Sequence, residues 1–73
     1  MNMIIKKQED YMIRVKNEYN ELKERYSKLN SFIENHPKTL KETTYRNLVK
    51  QSMIMRMYLY VLEDRAIDEG IEL

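Results

Sequence analysis

IKKQEDYMIRVKNEYNELKERYSKLNSFI, residues 5–33, sets Ile5, Gln8, Met12, Val15, Tyr19, Leu22, Tyr26, Leu29 and Ile33 at alternating steps of three and four. That is the repeat of one helix face, and eight of its nine positions are apolar or Tyr. No Gly or Pro interrupts it, so the spacing predicts a single helix from about residue 3 to about residue 35. Its outer face carries Asp10–Arg14, Glu21–Arg25 and Glu24–Lys28, each acid four residues before a base. Such pairs support a solvated helix by roughly 0.3 to 0.5 kcal/mol each, which makes a structural reading of these charges sufficient.

Asn35-His36-Pro37-Lys38 ends this helix, because the Pro37 ring disfavours helical geometry at His36 and removes a backbone donor. Thr39-Leu40-Lys41-Glu42 reads as a capping box that opens a second helix near residue 40. That helix runs through Tyr45, Leu48, Ser52, Met55, Leu59, Leu62 and Ala66, again at steps of three and four, to about residue 69, where Gly70 supplies a left-handed cap. The expectation is an all-α fold: one domain, residues 1–73, built as an antiparallel two-helix hairpin with its turn at 36–39. Charge favours the antiparallel arrangement. Lys6, Lys7, Arg14 and Lys16 would lie beside the acidic end of the second helix, and Glu18, Glu21 and Glu24 near Arg46, Lys50 and Arg56.

The composition narrows the function classes. One Gly, one Pro and no Cys exclude collagen-like, low-complexity and disulfide-stapled chains. One His and no Cys leave no zinc motif, so no metal and no cofactor are expected. A net charge of +1, from 13 basic and 12 acidic residues, is too balanced for binding duplex nucleic acid through a global field. No apolar run approaches the ~20 residues of a membrane span, and Met1–Lys7 lacks the charge order of a secretory signal, so a soluble intracellular protein is the default.

Met53-Ile-Met-Arg-Met-Tyr-Leu-Tyr-Val-Leu62 has one charge in ten residues and is apolar around nearly its whole circumference. One neighbouring helix covers one stripe, so the rest implies association into a homo-oligomeric helical bundle, with Met53, Ile54, Met57 and Val61 between subunits. Arg56, inside that stretch, either pairs with an acid of the first helix, Glu18 being the one expected, or faces a ligand anion. Six Tyr at helical spacing read first as core or interface rings with a wet hydroxyl, and second as stacking platforms. His36 has no partner at a catalytic spacing, and Thr43-Thr44 follows no glycine-rich loop. No acid/base constellation is present, and the chain is not expected to be an enzyme.

The pattern Tyr11-x2-Arg14-x3-Glu18-x3-Leu22-x2-Arg25-x2-Lys28-Leu29-x2-Phe32-Ile33, then Leu48-x2-Gln51-x3-Met55-x2-Tyr58-x3-Leu62-x2-Arg65-x-Ile67, resembles a family of small helical-hairpin proteins of bacteriophages first noted in crAss-like phages. Arg14, Glu18, Arg25, Gln51 and Arg65 are its polar positions that packing alone does not demand. More loosely the chain is similar to the phage hairpins that inhibit CBASS and Thoeris defence as sponges for immune signals. This resemblance implies a phage protein in the cytoplasm of an infected bacterium, a homo-oligomer between dimer and hexamer. It further implies sequestration of a phosphate-bearing nucleotide signal, a cyclic ADP-ribose isomer or a cyclic dinucleotide. Arg or Lys would grip the phosphates and Tyr would stack on the base. The candidate ligand-binding residues are Tyr11, Arg14, Arg25, Arg56, Tyr58 and Arg65. Arg56 and Arg65 are included because neither has an acid four residues before it. The competing expectation is a protein-interaction module or adaptor that docks on a host or phage protein through the second helix.

Overall fold

The computed structural model describes the backbone of residues 2–73 and the side chains from residue 9 onward. Two helices, α1 (Asn2–Glu34) and α2 (Glu42–Glu69), lie side by side in a rod of 59 × 16 × 15 Å. Every described position of the two three-four stripes is buried or half-buried: Met12, Val15, Tyr19, Leu22, Tyr26, Leu29 and Ile33 on α1, and Tyr45, Leu48, Ser52, Met55, Leu59, Leu62 and Ala66 on α2. Ile5 and Gln8 lie outside the described side chains, as do Lys6 and Lys7. Leu62 is sealed completely, and Val15, Leu59, Ala66 and Ile71 are the other buried apolar side chains among the described residues.

Side-chain contacts across the seam fix the hairpin as antiparallel and set its register. Arg65 donates from Nη2 to the Tyr11 hydroxyl, and seven residues along each helix the Tyr58 hydroxyl donates to Glu18. On the other side of the seam Tyr19 donates to Glu63 Oε2 at 2.8 Å, and Ser52, in a nearly closed position, donates to Asn30 Oδ1 at 2.6 Å. Among the described residues every buried side-chain nitrogen or oxygen has a partner, so the polar groups at the seam cost little for their burial.

The charge expectation is corrected in its detail. Among the described residues the ion pairs run within helices: Glu24–Lys28 at 3.0 Å, Glu42–Arg46 at 2.8 Å and Arg65–Glu69 at 3.5 Å. Glu18 accepts from Tyr58 rather than pairing with Arg56. The spans between the helices are bridged by phenols and by Ser–Asn, whose lower desolvation cost suits a seam that water half reaches.

The connection also departs from expectation at one point. The Leu40 N–H donates to the Pro37 carbonyl at 3.0 Å, closing a turn that contains Thr39. Thr39 therefore does not cap α2. The N-cap is Lys41, with φ −61° and ψ 136° and no side-chain cap bond, and the first helical bond runs from the Tyr45 N–H to the Lys41 carbonyl at 2.9 Å. At the end of α1 the Asn35 side chain donates to the Ser31 carbonyl, and His36 Nδ1, as its N–H tautomer, donates to the Ile33 carbonyl at 2.7 Å. The His36 ring then rests on Tyr45, with ring centroids 4.5 Å apart. At the far end Gly70 adopts φ 69°, and the N–H groups of both Gly70 and Ile71 converge on the Ala66 carbonyl, which drops Ile71 onto Val15 and Ala66.

Candidate functional site

The two helices leave two long edges, and the six candidate residues divide between them. Tyr11, Arg14, Glu18 and Arg25 follow one another along α1 at spacings of three, four and seven, which keeps them on one edge. Gln51, Tyr58 and Arg65 follow at sevens along the facing edge of α2. The Tyr11–Arg65 and Glu18–Tyr58 contacts are two successive rungs between these rows, and Arg25 and Gln51 stand at the level of the third. Much of this edge is internally satisfied. Arg65 is held by Tyr11 and Glu69, and its pKa is raised first by the Tyr11 hydroxyl. The Glu18 carboxylate raises the Tyr58 pKa by holding its proton. Arg14 and Arg25 are exposed.

Arg56 lies on the opposite edge, away from the other five. There it lines an open cleft of about 320 Å³ with Tyr19, Lys23, Tyr26, Leu59, Tyr60 and Glu63. Arg56 Nε–H donates to the Tyr60 hydroxyl at 2.9 Å, and its guanidinium carbon lies 5.7 Å from the Tyr60 ring centroid. The same contact raises the Arg56 pKa, so the group is a permanent cation. Lys23 Nζ stands 5.8 Å from the centroid of Tyr19. The Tyr19 proton is held by Glu63, which raises its pKa, chiefly through the hydrogen bond. Leu59 forms the apolar floor.

This cleft juxtaposes two cations with three phenol rings. Among the described residues neither Lys23 nor Arg56 forms an ion pair with a carboxylate, whereas Lys28, Arg46 and Arg65 do. A guanidinium whose Nε is anchored keeps its two terminal nitrogens for an oxyanion, in a plane already set by the Tyr60 contact. The sequence exposed Arg56 as a lone charge in an apolar stretch. It did not expose Lys23, Tyr26, Tyr60 or Glu63 as its companions, since each reads as an ordinary seam or surface residue until the register across the helices is known.

Among the described residues no group of three or more His, Cys, Asp or Glu is placed to hold a metal ion, and no helix is long and apolar enough to cross a membrane. No curated protein and no solved structure shows a significant match to the chain. The family model described as Sequestin matches residues 9–68, which takes in both rungs of the polar edge, the whole of the cleft, most of α1 and nearly all of α2, and the chain therefore belongs to the Sequestin family.

Proposed function

We propose that this chain sequesters a phosphate-bearing nucleotide signal of a bacterial defence system, a cyclic ADP-ribose isomer or a cyclic dinucleotide, by binding without turnover. In this reading it is a phage product acting in the cytoplasm of the infected cell and silencing Thoeris or CBASS-type defence. The family name supports sequestration as the activity. The observation that carries the choice of ligand is the cleft, where Arg56 and Lys23 stand uncommitted to carboxylates beside Tyr19, Tyr26 and Tyr60. Its cations suit phosphate oxygens and its rings suit the face of a base, while Glu63 can accept from a ribose hydroxyl or an exocyclic amine once Tyr19 shares it.

Calorimetry against cyclic dinucleotides and cyclic ADP-ribose isomers tests the reading, followed by heating the complex and recovering the ligand intact. Arg56→Ala and Lys23→Ala should each weaken binding by about tenfold or more, as expected for loss of a charged contact to phosphate. Arg14→Ala, Arg25→Ala and Arg65→Ala on the far edge should bind as the wild type does. If the losses follow Arg14, Arg25 and Arg65 instead, the ligand lies on the Tyr11–Tyr58 edge. If the wild type binds none of these ligands, an adaptor that docks on another protein through α2 becomes the better account.

A further inference from the structure

The side of α2 turned away from α1 is as ordered in its chemistry as the seam. Met53, Ile54, Met57, Tyr60 and Val61 are between 50% and 67% exposed there, flanked by exposed Arg46 and Lys50 toward the start of the helix and exposed Asp64 and Asp68 toward its end. Met57 is the centre of this surface in a strict sense. Ile54 and Tyr60 lie three residues from it on either side, Met53 and Val61 four, Lys50 and Asp64 seven, and Arg46 and Asp68 eleven. Three, four, seven and eleven are the spacings that stay on one face of a helix. The stripe thus reads the same outward in both directions, apolar opposite apolar, but with base on one arm wherever acid stands on the other.

We infer that this face pairs with the same face of a second copy, antiparallel, about a two-fold axis through Met57. In an antiparallel pair each residue meets one about equally far from the axis on the other arm. The axis keeps each flank of the stripe on its own side, so Met53 meets Tyr60 of the second copy, Ile54 meets Val61, and near the centre line Lys50 meets Asp64 and Arg46 meets Asp68, each twice by symmetry. Arg46 can keep its intrahelical bond to Glu42 and still offer its remaining donors, because a guanidinium carries five. The arrangement also answers a conflict within α2. On this face Arg46 and Lys50 stand in the N-terminal half and Asp64 and Asp68 near the C-terminus, where acid opposes the dipole, and a second antiparallel copy sets each block beside its opposite. A parallel pairing would set base against base and acid against acid. The product is a four-helix bundle with the two α2 helices inside and the clefts outside, each cleft bordered through Tyr60 by Met53 of the second copy.

The chain has no cysteine, so single introduced thiols report the alignment directly. Met57→Cys, on the axis, should oxidise to a covalent dimer. Met53→Cys alone should not, because antiparallel alignment offsets its two thiols by eight residues, roughly 12 Å along the helix and outside disulfide reach. Ile54→Cys mixed with Val61→Cys should give the mixed dimer. Ile13→Cys, exposed on the outer side of α1, serves as the collision control. Sedimentation equilibrium should show the wild type at twice 9.0 kDa. Lys50→Glu and Asp64→Lys should each weaken the dimer several-fold, and the doubly exchanged chain should recover it. Circular dichroism confirms that these exposed substitutions leave the hairpin intact. A wild type that stays monomeric at submillimolar concentration overturns the inference. So does a Met53→Cys chain that cross-links itself as readily as Met57→Cys, which is the signature of parallel pairing, or a double exchange that fails to recover association.

Discussion

Tyr19 and Tyr58 each give a proton in hydrogen bonding to a carboxylate of the other helix, and the two contacts flank the same turn of the seam from opposite edges. Each carboxylate holds its phenol protonated beyond the ordinary range, so both pKa values rise on folding. A phenol whose pKa is raised in the folded chain contributes stability that is fully present below its unfolded value of about 10 and is lost as pH climbs through the folded value. The hairpin should therefore weaken from about pH 10 upward, read as a falling urea midpoint followed by circular dichroism. Tyr19→Phe should be less stable than the wild type at neutral pH, and its decline in alkali should be shallower. Equal slopes for the two chains would remove Tyr19–Glu63 as a source of the pH dependence. These bridges also explain why the candidate site was only partly legible in the sequence. Heptad spacing tells which residues share an edge of one helix, and so puts Tyr11, Arg14 and Arg25 on one edge of α1 and Tyr58 and Arg65 on one edge of α2. It does not tell which residue of α2 stands opposite which residue of α1, and Lys23, Tyr26 and Glu63 become companions of Arg56 only through that register.

At the scale of the elements, the two ends of α2 contrast. Gly70 ends the helix at φ 69° where the one glycine of the chain had announced it, and a Cβ there would meet no atom within 4 Å. Gly70→Ala should thus lose only the backbone preference, about 1 kcal/mol, seen as a small drop in the thermal midpoint without loss of helicity. The capping box read from the sequence is not formed at the start of α2, because two local programmes overlap there. Thr39 and Glu42 have capping-box spacing, but Pro37–Leu40 closes a turn whose hydrogen bond takes the Leu40 N–H with Thr39 at a central position, and the helix begins only after it. The cap position falls to Lys41, whose side chain accepts nothing and whose charge opposes the positive end of the dipole. Lys41→Asp should accordingly stabilise the protein by about 0.5 to 2 kcal/mol in urea titration, since the backbone is already in the extended geometry a capping Asp needs. The interiors of both helices, by contrast, were fully readable. Every described stripe position from Met12 to Ile33 and from Tyr45 to Ala66 is buried or half-buried, because a period of three and four admits one phase on a helix with one neighbour.

The whole molecule is a rod only 16 by 15 Å across, with five buried apolar side chains among the described residues. A core of this size supplies few kcal/mol, while Met53, Ile54, Met57 and Val61 leave half or more of their surface in water. On the pairing proposed above stability and association are linked, since a second copy that binds only the folded hairpin raises its stability by mass action. The thermal midpoint of the wild type should rise with protein concentration, and the two faces of α2 should answer substitution in different ways. Leu59 is 6% exposed in the seam, so Leu59→Asp buries an unpaired carboxylate at a cost of several kcal/mol and should unfold the hairpin at every concentration. Ile54 is 67% exposed on the far side, so Ile54→Asp should leave the dilute midpoint almost unchanged and abolish its rise with concentration. Differential scanning calorimetry over a concentration series separates the two effects. A wild-type midpoint independent of concentration would mean that the hairpin stands by itself and that the apolar face of α2 contributes nothing to its stability.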